Sequence, residues 1–165
     1  MTLPTTRIVD LNDLDNQLSS KKGIYFWYDK KDNSLVYIGI AKGRGGLRTR
    51  ISKQHLRPDY LETRPSKHTS KDGYQLKHAI VKETSDPDNK KKAIDKSSFR
   101  KSIGRTLSLK PGHETVNYIK SNLRLEVHEN EDEKFLVSQE KYLISKYQPR
   151  FNTASKAIKN GERTL

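Results

Sequence analysis

Apolar residues recur along this chain with two periods, and each period predicts a different kind of element. Leu11, Leu14 and Leu18 fall at i, i+3 and i+7, the spacing of a short amphipathic helix that Ser19 to Gly23 ends. Ile24–Tyr28 and Leu35–Ile40 are β-branched and aromatic, and the turn-forming stretch Asp29 to Ser34 between them predicts an antiparallel hairpin. Alternation along the hairpin places Ile24, Phe26, Tyr28, Val36, Ile38 and Ile40 on one face. Tyr25, Trp27, Tyr37 and Gly39 fall on the other, a polar-tipped face with a gap at Gly39.

After the Gly43-Arg44-Gly45-Gly46 break, Leu47 and Ile51 predict a helix over 47–56 whose inward stripe is flanked by Arg50. Periodicity is poor from Arg57 to Ser97, and 84–92 is polar enough to read as a surface loop. Order returns with Phe99, Ile103 and Leu107, a helical stripe with Arg100, Lys101 and Arg105 on the opposite, solvent side and Lys110-Pro111-Gly112 as its stop. Glu114–Asn122 reads as a helix, and Leu123, Leu125 and Val127, alternating with polar residues, read as a third strand. The last helix runs over 134–147 and Pro149 ends it; the tail at 154–165 reads as frayed.

One residue of that last helix breaks the pattern. Leu136, Leu143 and Tyr147 form its buried stripe, and Glu140 lies four after the first and three before the second, so it points inward. Burying a lone carboxylate costs several kcal/mol, so its charge is met either by an Arg or Lys or by a bound metal ion.

Composition narrows the class. Leu, Ile, Val and Phe together are 37 of 165 residues, just above the ~20% level below which a highly charged chain is usually disordered. A single domain with a small core and sizeable solvated excursions is expected, spanning 1–153. No apolar run approaches the ~20 residues of a membrane span or the core of a secretory signal, so a soluble, cytoplasmic protein with no membrane partner is expected. With no cysteine there are no disulfides or thiolate zinc sites, and the five histidines lack i, i+4 pairing, which leaves oxygen ligands for any metal.

The net charge is +13, and nearly all of the excess lies between Ala41 and Gly112, where 19 Lys and Arg face 7 Asp and Glu. Such a localised basic surface suits a polyanion, because neutralising phosphates releases condensed counterions. A basic surface that serves only solubility is the competing reading. The segment 57–112, with Lys67, Lys71, Lys77, Arg100, Lys101 and Arg105, is the best candidate for a DNA-gripping insertion.

Gly23-Ile24-Tyr25, eleven residues, then Tyr37-Ile38-Gly39 resembles the signature of the GIY-YIG nuclease superfamily. Leu47-Arg48-Thr49-Arg50 fits the family's Leu-x-x-Arg, Glu140 its late-helix metal-binding Glu, and Pro149-Arg150-Phe151-Asn152 its Pro-x-Phe-Asn ending twelve residues on. The resemblance covers 22–53 and 123–152. The connection from Gly39 to Arg50 is about three residues longer than in the shortest family members. Where the family often has His or Tyr four residues after the Arg, this chain has Gln54, with His55 next to it.

What the resemblance implies is an α+β fold, a small three-stranded antiparallel sheet flanked by helices, and a Mg²⁺-dependent DNA endonuclease in which Mn²⁺ can substitute. Tyr25 would activate or position water beside Tyr37, Arg50 (with Arg48 as the alternative) would bind the scissile phosphate, and Glu140 would hold a single metal ion. Asn152 would hydrogen-bond near the phosphate, and Gly39, Arg48, Lys53 and His55 would approach the nucleic acid, His55 as an auxiliary base. The partner would be double-stranded or structured DNA, and the protein a monomer or homodimer. A non-catalytic nucleic-acid-binding module that keeps the fold, or the same site acting on RNA, are the alternatives.

Overall fold

The computed structural model describes residues 1–65, 80–81 and 91–153. Lys67, Lys71, Lys77, most of the polar 84–92 loop and the 154–165 tail lie outside the described residues. The chain forms two compact units, one from 1–53 and 120–165 and one from 54–119.

The first unit is built on a four-stranded antiparallel sheet rather than the expected three. Strand β1 (Arg7–Val9) pairs with β7 (Leu123–Glu129), β7 with β2 (Gly23–Asp29), and β2 with β3 (Leu35–Ala41). The extra edge strand has three residues of which only Val9 is buried, too short for alternation to register. Helix α1 is Leu14–Gln17, shorter than the Leu periodicity predicts. The Asp10 carboxylate accepts the Asn12 amide at 2.9 Å, a local turn that delays the helix.

The hairpin faces follow the alternation except at Val36: the register shifts near Tyr28, so Leu35 pairs with Tyr28 and packs beside the core cluster where Val36 was expected. Ile24, Phe26, Ile38 and Ile40 pack against Leu136, Leu143 and Ile144 of the last helix, α5 (Glu133–Tyr147). Asp132 caps α5 by accepting the Phe135 amide at 3.1 Å, worth about 1 kcal/mol. Tyr147, expected in the buried stripe, is 40% exposed, and Ile144 takes its place in the core because it follows Leu143 toward the sheet.

On the opposite face, Tyr25 stands across from Gly39 and Val127, and Trp27 from Tyr37 and Leu125. Leu47 of α2 (Gly46–Arg50) packs on this face, against the Gly23 backbone. The helix expected over 47–56 is α-helical only to Arg50 and continues as one π-helical turn, Ile51–His55.

In the second unit, β4 (Leu61–Pro65), β5 (Ile80–Val81) and β6 (Lys91–Asp95) form an antiparallel sheet in the order β4-β6-β5, which poor periodicity concealed. Helix α3 (Ser98–Leu107) is capped by Ser97 and buries Phe99 and Ile103. Its stop comes at Ser108, in the left-handed region at φ 57°, two residues before the expected Lys-Pro-Gly. Helix α4 (His113–Asn122) leads back to β7. No helix among the described residues is long and apolar enough to cross a membrane.

Candidate active site

Four side chains from four elements of the first unit act on one another electrostatically. Tyr25 comes from β2, Tyr37 from β3, Arg50 from the end of α2 and Glu140 from the middle of α5. The two tyrosine rings lie 6.4 Å apart, 29° from parallel. Both phenols are held above their ordinary value, first by burial. Tyr37 and the Glu140 carboxylate push Tyr25 further up, and Arg50 pulls back against them. The same two charges act on Tyr37, with Glu140 raising it and Arg50 opposing.

Glu140 is itself raised above the ordinary carboxylate value by burial, while Arg50, Lys42 and the Ile40 amide favour its charged form. Of the two partners left open by periodicity, two cations of the chain are therefore present. Lys42 is a site residue that the sequence reading missed. It shares parity with Ile38 and Ile40, the face on which α5 packs, and that was the available signal.

Backbone bonds fix Arg50 relative to Tyr25. The Leu47 amide donates to the Lys21 carbonyl and the Arg48 amide to the Ser19 carbonyl, both at 3.0 Å, and the Arg48 Nε donates to the Leu18 carbonyl at 2.9 Å. The start of α2 is thereby tied to the segment that leads into β2. Gly46 makes this possible, because it sits at φ +54° and any side chain there would overlap the Ser20 and Lys21 carbonyls. Arg48, the alternative phosphate ligand, is thus engaged with the Leu18 backbone, and Arg50 is the arginine that acts on the tyrosines and on Glu140.

Two expected roles change. Gly39 opens no space for a sugar-phosphate, because the Tyr25 ring lies over it and a methyl group there would overlap the phenol. Asn152 turns inward on β3, accepting the Ile38 amide and donating to the Ile38 carbonyl, both at 2.9 Å. The Phe151 amide also donates to the Val36 carbonyl at 2.9 Å, so residues 151–152 cover the open edge of the strand that carries Tyr37 and Gly39.

The residues proposed to grip nucleic acid divide sharply. Lys53 and Arg105 are exposed and Lys101 is half-buried. His55 is buried, with Nδ1 2.8 Å from the Ser97 hydroxyl and its ring edge-on to Phe99 at 5.4 Å, so it offers no surface to a strand. Arg100, expected on the solvent side of α3, is fully buried in the second unit. Its Nε and Nη2 meet Asp95 Oδ1 at 3.0 and 2.9 Å, and its Nη1 and Nη2 donate to the Arg57 and Tyr60 carbonyls at 2.6 and 2.7 Å. A guanidinium so saturated is a clasp for the 57–60 segment, not a phosphate contact. Trp27 is buried and presents no face to a base.

No group of three or more His, Cys, Asp or Glu gathers among the described residues. Glu140 thus belongs to no such group there, and a site with so few carboxylates would suit a hard divalent ion that keeps several waters and takes further ligands from a phosphate. Comparison of the chain with protein-family models, with curated proteins and with solved structures finds no match.

Proposed function

We propose that this chain is a divalent-metal-dependent endonuclease of GIY-YIG type that hydrolyses phosphodiester bonds of DNA. The observation that carries the reading is the electrostatic cluster of Tyr25, Tyr37, Arg50 and Glu140, drawn from four elements far apart in sequence. A planar guanidinium acting on two phenols and a carboxylate is a set suited to hydrolysis at phosphate. Arg50 binds the scissile phosphate through its fork and offsets the charge that develops there. Glu140 would hold Mg²⁺ or Mn²⁺, which when bound would supply neutralisation of charge on the departing oxygen.

The tyrosines act as neutral hydroxyls. Ionising an unperturbed phenol at pH 7 already costs about 4 kcal/mol, and burial raises that cost for Tyr25. Tyr25 orients the attacking water through its hydroxyl, with Tyr37 packed beside it, and the water proton passes to a non-bridging oxygen of the substrate phosphate as the new P–O bond forms and the bond to the departing oxygen breaks. Arg50 and Lys42 next to Glu140 oppose a bare divalent cation, so metal affinity rests on the phosphate arriving with its negative charge. One such site cuts one strand at a time, and double-strand cutting takes a homodimer or two successive nicks.

The test is conversion of supercoiled plasmid by the wild-type chain and by Glu140→Ala, with Mg²⁺, with Mn²⁺ and with EDTA. Metal-dependent nicking or linearisation, abolished in the variant and by EDTA while DNA affinity is largely kept, is the expected result. Cutting by Glu140→Ala at the wild-type rate refutes the assignment. Salt-sensitive DNA binding with no product under any divalent ion points to a binding module instead, and preferential cutting of an RNA duplex points to RNA.

A further inference from the structure

On the flank of α5 next to Glu140, Glu133, Lys134, Val137, Ser138 and Lys141 line, together with Lys42, an open groove of about 460 Å³. Residues 134, 138 and 141 form one stripe at i, i+4 and i+7. Val137 and Lys141 stand three before and one after Glu140, so the groove begins at the rim of the candidate active site. The Glu133 carboxylate is engaged with Lys22 at 2.9 Å. Among the described residues Lys134 and Lys141 form no ion pair and are exposed, while Lys42 acts on both Glu133 and Glu140. Two uncommitted cations therefore converge, beside Lys42, on a concave surface whose one acid is already matched.

Spacing says what kind of anion fits. From Lys134 to Lys141 the helix advances about 10 Å at 1.5 Å per residue, and a nucleic-acid strand presents one phosphate per about 3.4 Å of helix axis. The ends of the stripe thus match phosphates about three steps apart along one strand, with Ser138 as a neutral donor between the charges. We propose that this groove seats the sugar-phosphate backbone of the strand that is cut, to one side of the scissile phosphate. The placement of that phosphate at Arg50 rests on the nuclease reading; the groove's affinity for nucleic acid does not. Continuity with the site favours nucleic acid over an acidic protein segment.

The experiment measures binding of a labelled 20-base-pair duplex in EDTA, across salt concentrations, for the wild type and for Lys134→Ala/Lys141→Ala. Each lost phosphate contact flattens the plot of log affinity against log salt by about 0.9, so the pair flattens it by about 1.8 and weakens binding tens of fold at 0.1 M salt. Lys30→Ala/Lys31→Ala removes the same charge at the hairpin turn and is expected to leave the slope unchanged. An unchanged slope in the groove variant, or an equal loss in the hairpin variant, overturns the proposal. So does an unchanged duplex slope with lost binding of a polyglutamate probe, which assigns the groove to an acidic protein. The two readings fail separately: a chain that cuts DNA with an unaltered slope overturns the groove, and one that binds through the groove without ever cutting overturns the nuclease.

Discussion

Replacing Arg100 by Ala distinguishes a DNA contact from an internal clasp more sharply than any other single substitution. The side chain is fully buried and makes two short contacts with Asp95 Oδ1 and one bond to each of two carbonyls. Truncation leaves the Asp95 carboxylate buried without its cation, which typically costs 3–5 kcal/mol. The Arg57 and Tyr60 carbonyls are only partly buried and recover water, so their loss adds on the order of 1 kcal/mol each. The expected destabilisation is about 5–7 kcal/mol, comparable with the whole stability of many small domains. Arg100→Lys is a poor rescue, because one ammonium cannot bridge a carboxylate and two carbonyls as the fork does. Adding Asp95→Asn to Arg100→Ala removes the orphaned charge and recovers on the order of 1–3 kcal/mol.

Hydrogen exchange is the appropriate assay because the chain has two compact units and a global melt mixes them. Amides of 95–107 report the second unit, and fluorescence of Trp27, the single tryptophan, reports the sheet of the first. Arg100→Ala should collapse protection over 95–107. The reasoning is refuted if protection there falls by less than about 1 kcal/mol while the salt dependence of DNA binding flattens by about one contact. That outcome would put the guanidinium on a phosphate after all.

Two further substitutions probe how the active-site cluster is held. Gly39→Ala places a methyl against the buried Tyr25 ring and should cost about 1–3 kcal/mol in urea unfolding together with a loss of plasmid cutting; in a Tyr25→Ala background the same change should cost little, and equal costs in both backgrounds would sink the argument. Asn152→Ala removes both partners of the Ile38 main chain and should cost about 1–3 kcal/mol by Trp27-monitored unfolding, with DNA affinity unchanged; a loss of affinity without loss of stability would return Asn152 to the phosphate.

The legible part of the fold was the part with a period. Alternation marked Ile24, Phe26, Ile38 and Ile40 as one hairpin face, and the core between them and α5 follows from it; the irregularity near Tyr28 that brings in Leu35 in place of Val36 leaves no mark in the alternation. The second sheet was illegible because its strands are short, charged and interrupted, so β4, β5 and β6 lack the apolar alternation that marks a half-buried strand. Arg100 was misplaced for a related reason. It follows directly on Phe99, inside the arc that α3 buries, and only the Asp95 carboxylate five residues earlier makes an arginine tolerable there. Periodicity separates faces but does not announce that a charge has an internal partner.

The same limit explains the inward Glu140, where periodicity found the anomaly but could not name what meets it. The answer required α2 to be fastened to residues 18–21 through the Gly46 turn, a long-range arrangement of hydrogen bonds that leaves no trace in spacing. That fastening also bears on what the cluster can do. Arg50 ends a short helix whose start is tied to the segment feeding β2, and Glu140 stands on a helix that packs against the same hairpin. The guanidinium, the phenols and the carboxylate are therefore referenced to one rigid sheet rather than to loops. On the proposed nuclease reading, a phosphate arriving between Arg50 and Glu140 would meet groups already in position, which is the condition under which charge stabilisation needs no rearrangement at the moment of reaction.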